Sequence, residues 1–297
     1  SFRLHYLLQG SDPRSYHAVN VGLHLLVGLA VYALARRLLP PAYALLTCAL
    51  FLLHPLQTEA VAYVAGRAEL ISALGVVTAV WAFAQPTVTW THAGIAVIAL
   101  VVAVGGKELG IMAVPLFGLY TWLIRKPAWS WRLMGVACGA IIVLALLLAP
   151  ILGARVLGNA YIYQTERGML GNLAYQSVAV WSMLRLAIVP VGQSVDHDYE
   201  TVSHLGALGA LFAGIALLVW AWRVRSQYPL VTFGLFWAFL ALLPRFILRQ
   251  PELIAEHHVY TPFVGLWIAI AAAVMHLNAW LVMRSAAKEP PCEPVCP

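Results

Sequence analysis

Charge is what this sequence has least of. Only 10% of its 297 residues are Asp, Glu, Lys or Arg, against about 25% in an ordinary soluble domain. A water-soluble fold of this length has no way to hide 62% hydrophobic residues at a mean hydropathy of +0.83, whereas a bilayer does. Phosphate-cradling motifs are missing too. There is no GxxxxGK loop, no GxGxxG after a strand and no GxSxG elbow, so a soluble nucleotide donor and a serine hydrolase are both disfavoured. Cysteine is scarce, with four in all. Cys48 and Cys138 sit in apolar runs as inert thiols, and Cys292 and Cys296 fall in a Pro-rich tail, PPCEPVCP, that reads as an unstructured end.

What remains is a succession of apolar runs, expected to form an all-α, polytopic membrane bundle. Runs of roughly 17–25 residues suit a spanning helix. The candidates are 16–39, 42–53, 68–84, 91–104, 111–124, 130–152, 205–222, 229–243 and 262–283, giving about nine spans. A further apolar segment, 173–189, is interrupted by Gln176, Ser177, Ser182 and Arg185, and is expected to lie along the surface or re-enter. The bundle is taken as one domain, 1–285, followed by a short tail, 286–297.

Sidedness follows from the basic residues, which favour the cytoplasm in short loops. Arg36, Arg37, Arg125, Lys126, Arg132, Arg223, Arg225, Arg284 and Lys288 share one side if 173–189 does not cross. Of the twelve acids, only Glu289 and Glu293 join them. The expectation is a multi-pass protein whose first residues lie outside and whose tail is cytoplasmic. The net charge of +6 then reports orientation, and nucleic acid is not an expected partner.

Four outer segments hold most of the other ionisable groups, each at a helix end, so that together they are expected to line one cavity. HPLQTEAVAYVAGRAEL (54–70) carries Glu59, Arg67 and Glu69; the alternative there is a capped helix end with a Glu–Arg pair. GGKELG (105–110) sets Lys107 and Glu108 against hydrocarbon, which is costly unless they are paired or face a wet cavity. Flanking glycines leave backbone amides open to an anion such as phosphate. VDHDYETVSH (195–204) alternates carboxylate and imidazole at Asp196, His197 and Asp198, so a divalent cation is the metal alternative to a solvated or gating loop. LPRFILRQPELIAEHHVYTP (243–262) places Arg245, Arg249, Glu252, Glu256, His257, His258 and Tyr260 together. Those basic groups suit a lipid phosphate, or simply the headgroup boundary.

At the same segments the chain resembles the bacterial relatives of the transmembrane-and-tetratricopeptide-repeat O-mannosyltransferases, within the C-type membrane glycosyltransferase superfamily. The resemblance rests on FRLHYLLQGSDPRSYHAVNVGLHLLVGLAVYALARRL, HPLQTEAVAYVAGRAEL, GKELGIMAVP, the VDHDYE stretch after LRLAIVP, and AEHHVYTPFVG, in that order. It implies transfer of a sugar from a polyprenyl-phosphate carrier to a hydroxyl acceptor, including a protein acceptor, on the non-cytoplasmic face of a bacterial inner membrane. It also implies that Arg67, Glu69, Lys107, Glu256 and His257 contact sugar and lipid phosphate. With Glu108, Arg245 and Arg249 these make the expected binding set. No catalytic residue is assigned by a motif; Glu59 and Glu69 are the candidates for a general base. The sequence departs from the family in starting downstream of an initial helix and an acidic first loop, in lacking the repeats, and in having histidine where the family usually has a basic residue at 257 or 258. Those departures motivate a second expectation, a catalytically silent relative that serves as an accessory subunit among other membrane subunits.

Overall fold

In the computed structural model, residues 12–124, 168–194, 202–247 and 255–286 are described, with positions 6, 7, 10 and 153. Among them the regular structure is helical, without strands, and several helices are long and apolar enough to cross a membrane, as in a multi-pass membrane protein. Ten α-helices, α1 to α10, run in chain order through the described residues.

Several helices start where the sequence supplies a cap or a proline. In α1 (Pro13–Leu38), Asp12 accepts from the Arg14 amide and Pro13 takes the first position, where its missing N–H costs nothing. Pro41 opens α2 (Pro41–Leu53) in the same way. His54-Pro55 ends that helix, and the chain turns by 53° into a short helical stretch ending in α3 (Thr58–Ala62). A 3₁₀ turn leads into α4 (Arg67–Phe83). Thr89 and His92 make a reciprocal capping box at the head of α5 (Trp90–Gly106). After a 3₁₀ turn over Glu108–Met112 comes α6 (Ala113–Leu123). Beyond it lie α7 (Met169–Ile188), α8 (His204–Arg223), α9 (Pro229–Ile247) and α10 (Pro262–Ala286).

Five helical segments pass as candidate spans by length and composition, or six if the bent α2–α3 pair counts as one. The expected count of nine is not confirmed among the described residues. Helices α5 and the Glu108–Leu123 segment are apolar but short, and 130–152 lies outside the described residues. Segment 173–189 is helical, as α7, and buries Asn172, Gln176 and Ser177 along with Met183 and Leu186.

Close packing of α1, α4 and α5 sets the position of the polar groups. Gly106 and Gly110 bracket Lys107, and neither has room for a side chain. A Cβ on Gly106 would lie 2.7 Å from the Ser72 amide nitrogen, and one on Gly110 would lie 2.4 Å from the Ala103 carbonyl. The break between α5 and the following turn is therefore pressed against α4. That contact fixes where Lys107 leaves the backbone.

Candidate functional site

Asn20, in an apolar stretch of α1, organises one end of the bundle. Its amide nitrogen donates to the Val61 carbonyl at 3.2 Å and the Tyr63 carbonyl at 3.1 Å, and its oxygen accepts from Arg67 Nε at 3.2 Å. Arg67 is 2% exposed, donates again to the Tyr16 carbonyl at 3.4 Å, and stacks 5.2 Å over the Tyr16 ring. These partners lie on α1. A buried guanidinium needs such partners, because an unpaired charge there is expensive. The geometry makes Arg67 a tether between α4 and α1.

Two residues along α4, Glu69 turns to a different partner. Its carboxylate pairs with the Lys107 ammonium, and both side chains are mostly buried. Beside this pair is a small enclosed cavity of about 20 Å³, lined by Glu69, Ser72, Arg245, His258 and Thr261 among apolar neighbours. That volume is about one water's worth. Arg245, 3% exposed, reaches the cavity from the last turn of α9, just after Pro244. The Asn172 amide on α7 donates to the Arg245 and Phe246 carbonyls, each at 3.0 Å, capping helix-end acceptors that would otherwise be orphaned.

A second acid–imidazole pair lies next door. Glu59, on α3, accepts from the His257 backbone amide at 2.8 Å with one oxygen, and meets His257 Nδ1 at 2.6 Å with the other. The His257 and His258 rings pack edge to face, 4.3 Å between centroids. Burial drives the His258 pKa well below 6.5, and Arg245, His257 and Lys107 push it the same way. Its Nδ1 accepts from the Ala255 amide, leaving Nε2–H as the donor of the neutral ring. Burial, followed by the Glu69 charge, holds the Tyr260 hydroxyl well above its usual 10.0, so it stays protonated. It donates to His24 Nδ1 at 2.7 Å, and His24 Nε2 donates to the Leu52 carbonyl. Glu256 accepts from the Ser194 amide at 2.9 Å, tying the chain after α7 to this end.

Three of the four anticipated segments therefore meet. Glu69 and Arg245 line one cavity, Lys107 pairs with Glu69, Glu59 pairs with His257, and Glu108 is half-buried at the head of its turn. Arg249, Glu252, Asp196, His197 and Asp198 lie outside the described residues. Among the described residues, no group of three or more His, Cys, Asp or Glu is arranged to hold a metal. Asn20, His24, Asn172, Ser72 and Thr261 were not anticipated. The only sign of them in the sequence is a polar residue inside an apolar helix or at its edge.

On the other face of α9 is a different kind of space. An open, almost wholly apolar groove of about 290 Å³ runs between α7, α8 and α9, with Phe239, Leu242 and Phe246 on the α9 wall. One helix thus presents Arg245 to the polar cavity and its apolar neighbours to the groove.

Comparison with known proteins supplies named relatives. No family model and no solved structure matches the chain. Protein O-mannosyl-transferase Tmtc1 of Drosophila melanogaster is 38% identical over 122 residues, covering 40% of this chain and 14% of that protein. Protein O-mannosyl-transferase TMTC3 of Mus musculus is 34% identical over 125 residues, again 40% of the chain and 14% of the relative. Its Homo sapiens counterpart is 33% identical over 131 residues, 42% and 14%. The aligned stretch thus spans about one-seventh of those curated relatives. Over that stretch, the chain is similar to proteins named as protein O-mannosyl-transferases.

Proposed function

We propose that the protein is a membrane glycosyltransferase that moves a sugar from a polyprenyl-phosphate carrier to a hydroxyl on a protein acceptor, on the non-cytoplasmic face of a bacterial inner membrane. The relatives' names make mannose the first sugar to try. One observation carries the reading: Glu69 and Arg245 line a single cavity, Lys107 is paired with that same Glu69, and the α9 helix that brings Arg245 also lines an apolar groove on its other face.

The roles follow from charge. Lys107 and Arg245 hold the carrier's phosphate and stabilise it as it leaves, which in a partly buried site is worth far more than in water. The groove takes the isoprenoid chain, burying apolar surface that is left open among the described residues. Glu69 accepts the acceptor's proton. In the transfer, the bond between the anomeric carbon and the phosphate oxygen breaks. The bond from that carbon to the acceptor oxygen forms, and polyprenyl phosphate departs. With the first residues outside and the tail cytoplasmic, the basic loops stay on the cytoplasmic side.

The test is transfer by the chain reconstituted in vesicles, given polyprenyl-phosphate mannose and a Ser/Thr-rich peptide. Labelled peptide should form, and Lys107→Met should reduce it by about a hundredfold, as for loss of a group that stabilises developing charge. No product, or a rate indifferent to Lys107→Met, contradicts the assignment. A second reading has its own observation: α8 (His204–Arg223) buries only Ala207 and Ala221, so most of its surface is open to lipid or to another membrane subunit. An accessory role predicts co-purifying membrane chains, and a monomer with transfer activity counts against it.

A further inference from the structure

The cavity beside Glu69 has room for about one water, and a phosphate does not fit without displacing something. Its walls differ in how easily they give. Arg245 is 3% exposed and its own carbonyl is held by Asn172. His258 is fixed by the Ala255 amide. By contrast, Glu69 and Lys107 meet only through their side-chain tips, and Lys107 carries a flexible four-carbon stem. The same ammonium has to serve both anions, since Lys107 is already paired with Glu69.

We propose that the Glu69–Lys107 pair is a latch that the donor's phosphate opens: phosphate takes over Lys107, and the Glu69 carboxylate is released into the site only once the donor is bound. This deepens the transferase reading and rests on it. Phosphate and carboxylate are alike as partners for an ammonium, and phosphate carries more negative charge. The exchange therefore keeps Lys107 paired and leaves Glu69 next to an anion, in a partly desolvated place. Once freed from the ammonium, the carboxylate has an oxygen open to accept the acceptor hydroxyl's proton. The arrangement enforces an order, donor before acceptor, and keeps the base unavailable while the site is empty.

Binding separates this from a plain structural pair. The probes are polyprenyl phosphate, the uncharged polyprenol of the same length, and inorganic phosphate, measured by native mass spectrometry on the full chain. Glu69→Gln removes the competing charge and should tighten polyprenyl phosphate by about tenfold. Lys107→Met should weaken it by about as much, and Arg36→Gln, exposed in the last turn of α1, should leave it unchanged. Where Glu69→Gln does not fold, Glu69→Asp shortens the reach and should give a smaller gain in the same direction. Equal or weaker binding in these Glu69 variants overturns the latch while leaving the transferase reading intact. If inorganic phosphate shows the Glu69→Gln gain and polyprenyl phosphate does not bind, the latch stands and the lipid donor falls. If no phosphate probe binds any variant better than polyprenol, both fall.

Discussion

The α4–α5 contact at Gly75 and the open flank of α7 and α8 put the same small residue to opposite ends. On the first side, glycine is where two helices touch. A Cβ on Gly75 would come within 2.5 Å of the Ala103 amide nitrogen and the Ala99 carbonyl oxygen. On the second side, Gly171, Gly209 and Gly214 face open space, with nothing within 4 Å of an added Cβ. The contrast separates a scaffold from a berth. The tight side holds Glu69 and Lys107 in register from adjacent helices, and the loose side leaves a groove that a flexible apolar chain can enter without unfolding anything.

That difference is open to attack in order of expected effect. Gly75→Leu forces α4 and α5 apart and should cost about 3 kcal/mol or more, read as lost heat stability of the detergent-solubilised protein. A normal melting temperature for this variant would dissolve the distinction between the two sides. Asn20→Ala should cost about 2 kcal/mol, because it strips Arg67 of one partner and leaves the Val61 and Tyr63 carbonyls unserved. If Asn20→Ala melts like the parent, Arg67 is not a tether.

Acid should have a smaller effect, and it should come from the tight side. His258 is held neutral in the folded chain, with its pKa lowered well below 6.5, while the unfolded chain takes up a proton at that position. The stabilising contribution is thus complete above pH 6.5 and is lost as pH falls below it. Melting temperature should drop between pH 7 and pH 5, and His258→Gln should flatten that slope. An unchanged slope would locate the acid sensitivity elsewhere. Smallest of all is Gly209→Ala, where the added methyl meets nothing and helix propensity improves. A gain of at most about 1 kcal/mol is expected, and clear destabilisation would mean that the face is packed after all.

Much of this was readable from composition and punctuation. The prolines at 13, 41 and 55, the Thr89 cap and the apolar run lengths place helix ends within a few residues of where they lie. The grouping of Glu69 with Lys107 was legible as well, because both are charges at the ends of apolar runs, where pairing or a wet cavity is the economical solution. Partner choice was not. Arg67 and Glu69 are two residues apart, so on a helix they point in different directions. One serves α1 and the other faces the cavity, a distinction that depends on which helices pack. Glu59 meets a histidine 198 positions away, which no local pattern encodes. The groove was invisible for the same reason: hydropathy marks a helix as apolar without saying which apolar face finds a neighbour. The expected span count is not confirmed among the described residues, where α5 and the segment after it are apolar but short.

The account turns on a charged head bound at Lys107 and Arg245 with its apolar tail in the adjoining groove. A polyprenyl phosphate bearing a photoreactive group partway along its chain tests both halves at once. After irradiation and proteolysis, adducts should map to the groove walls on α7, α8 and α9, around Trp181, Ile215 and Phe239, and should be lost in Lys107→Met. Adducts confined to the outer lipid-facing surface of α1 or α10, unchanged by that substitution, would contradict it.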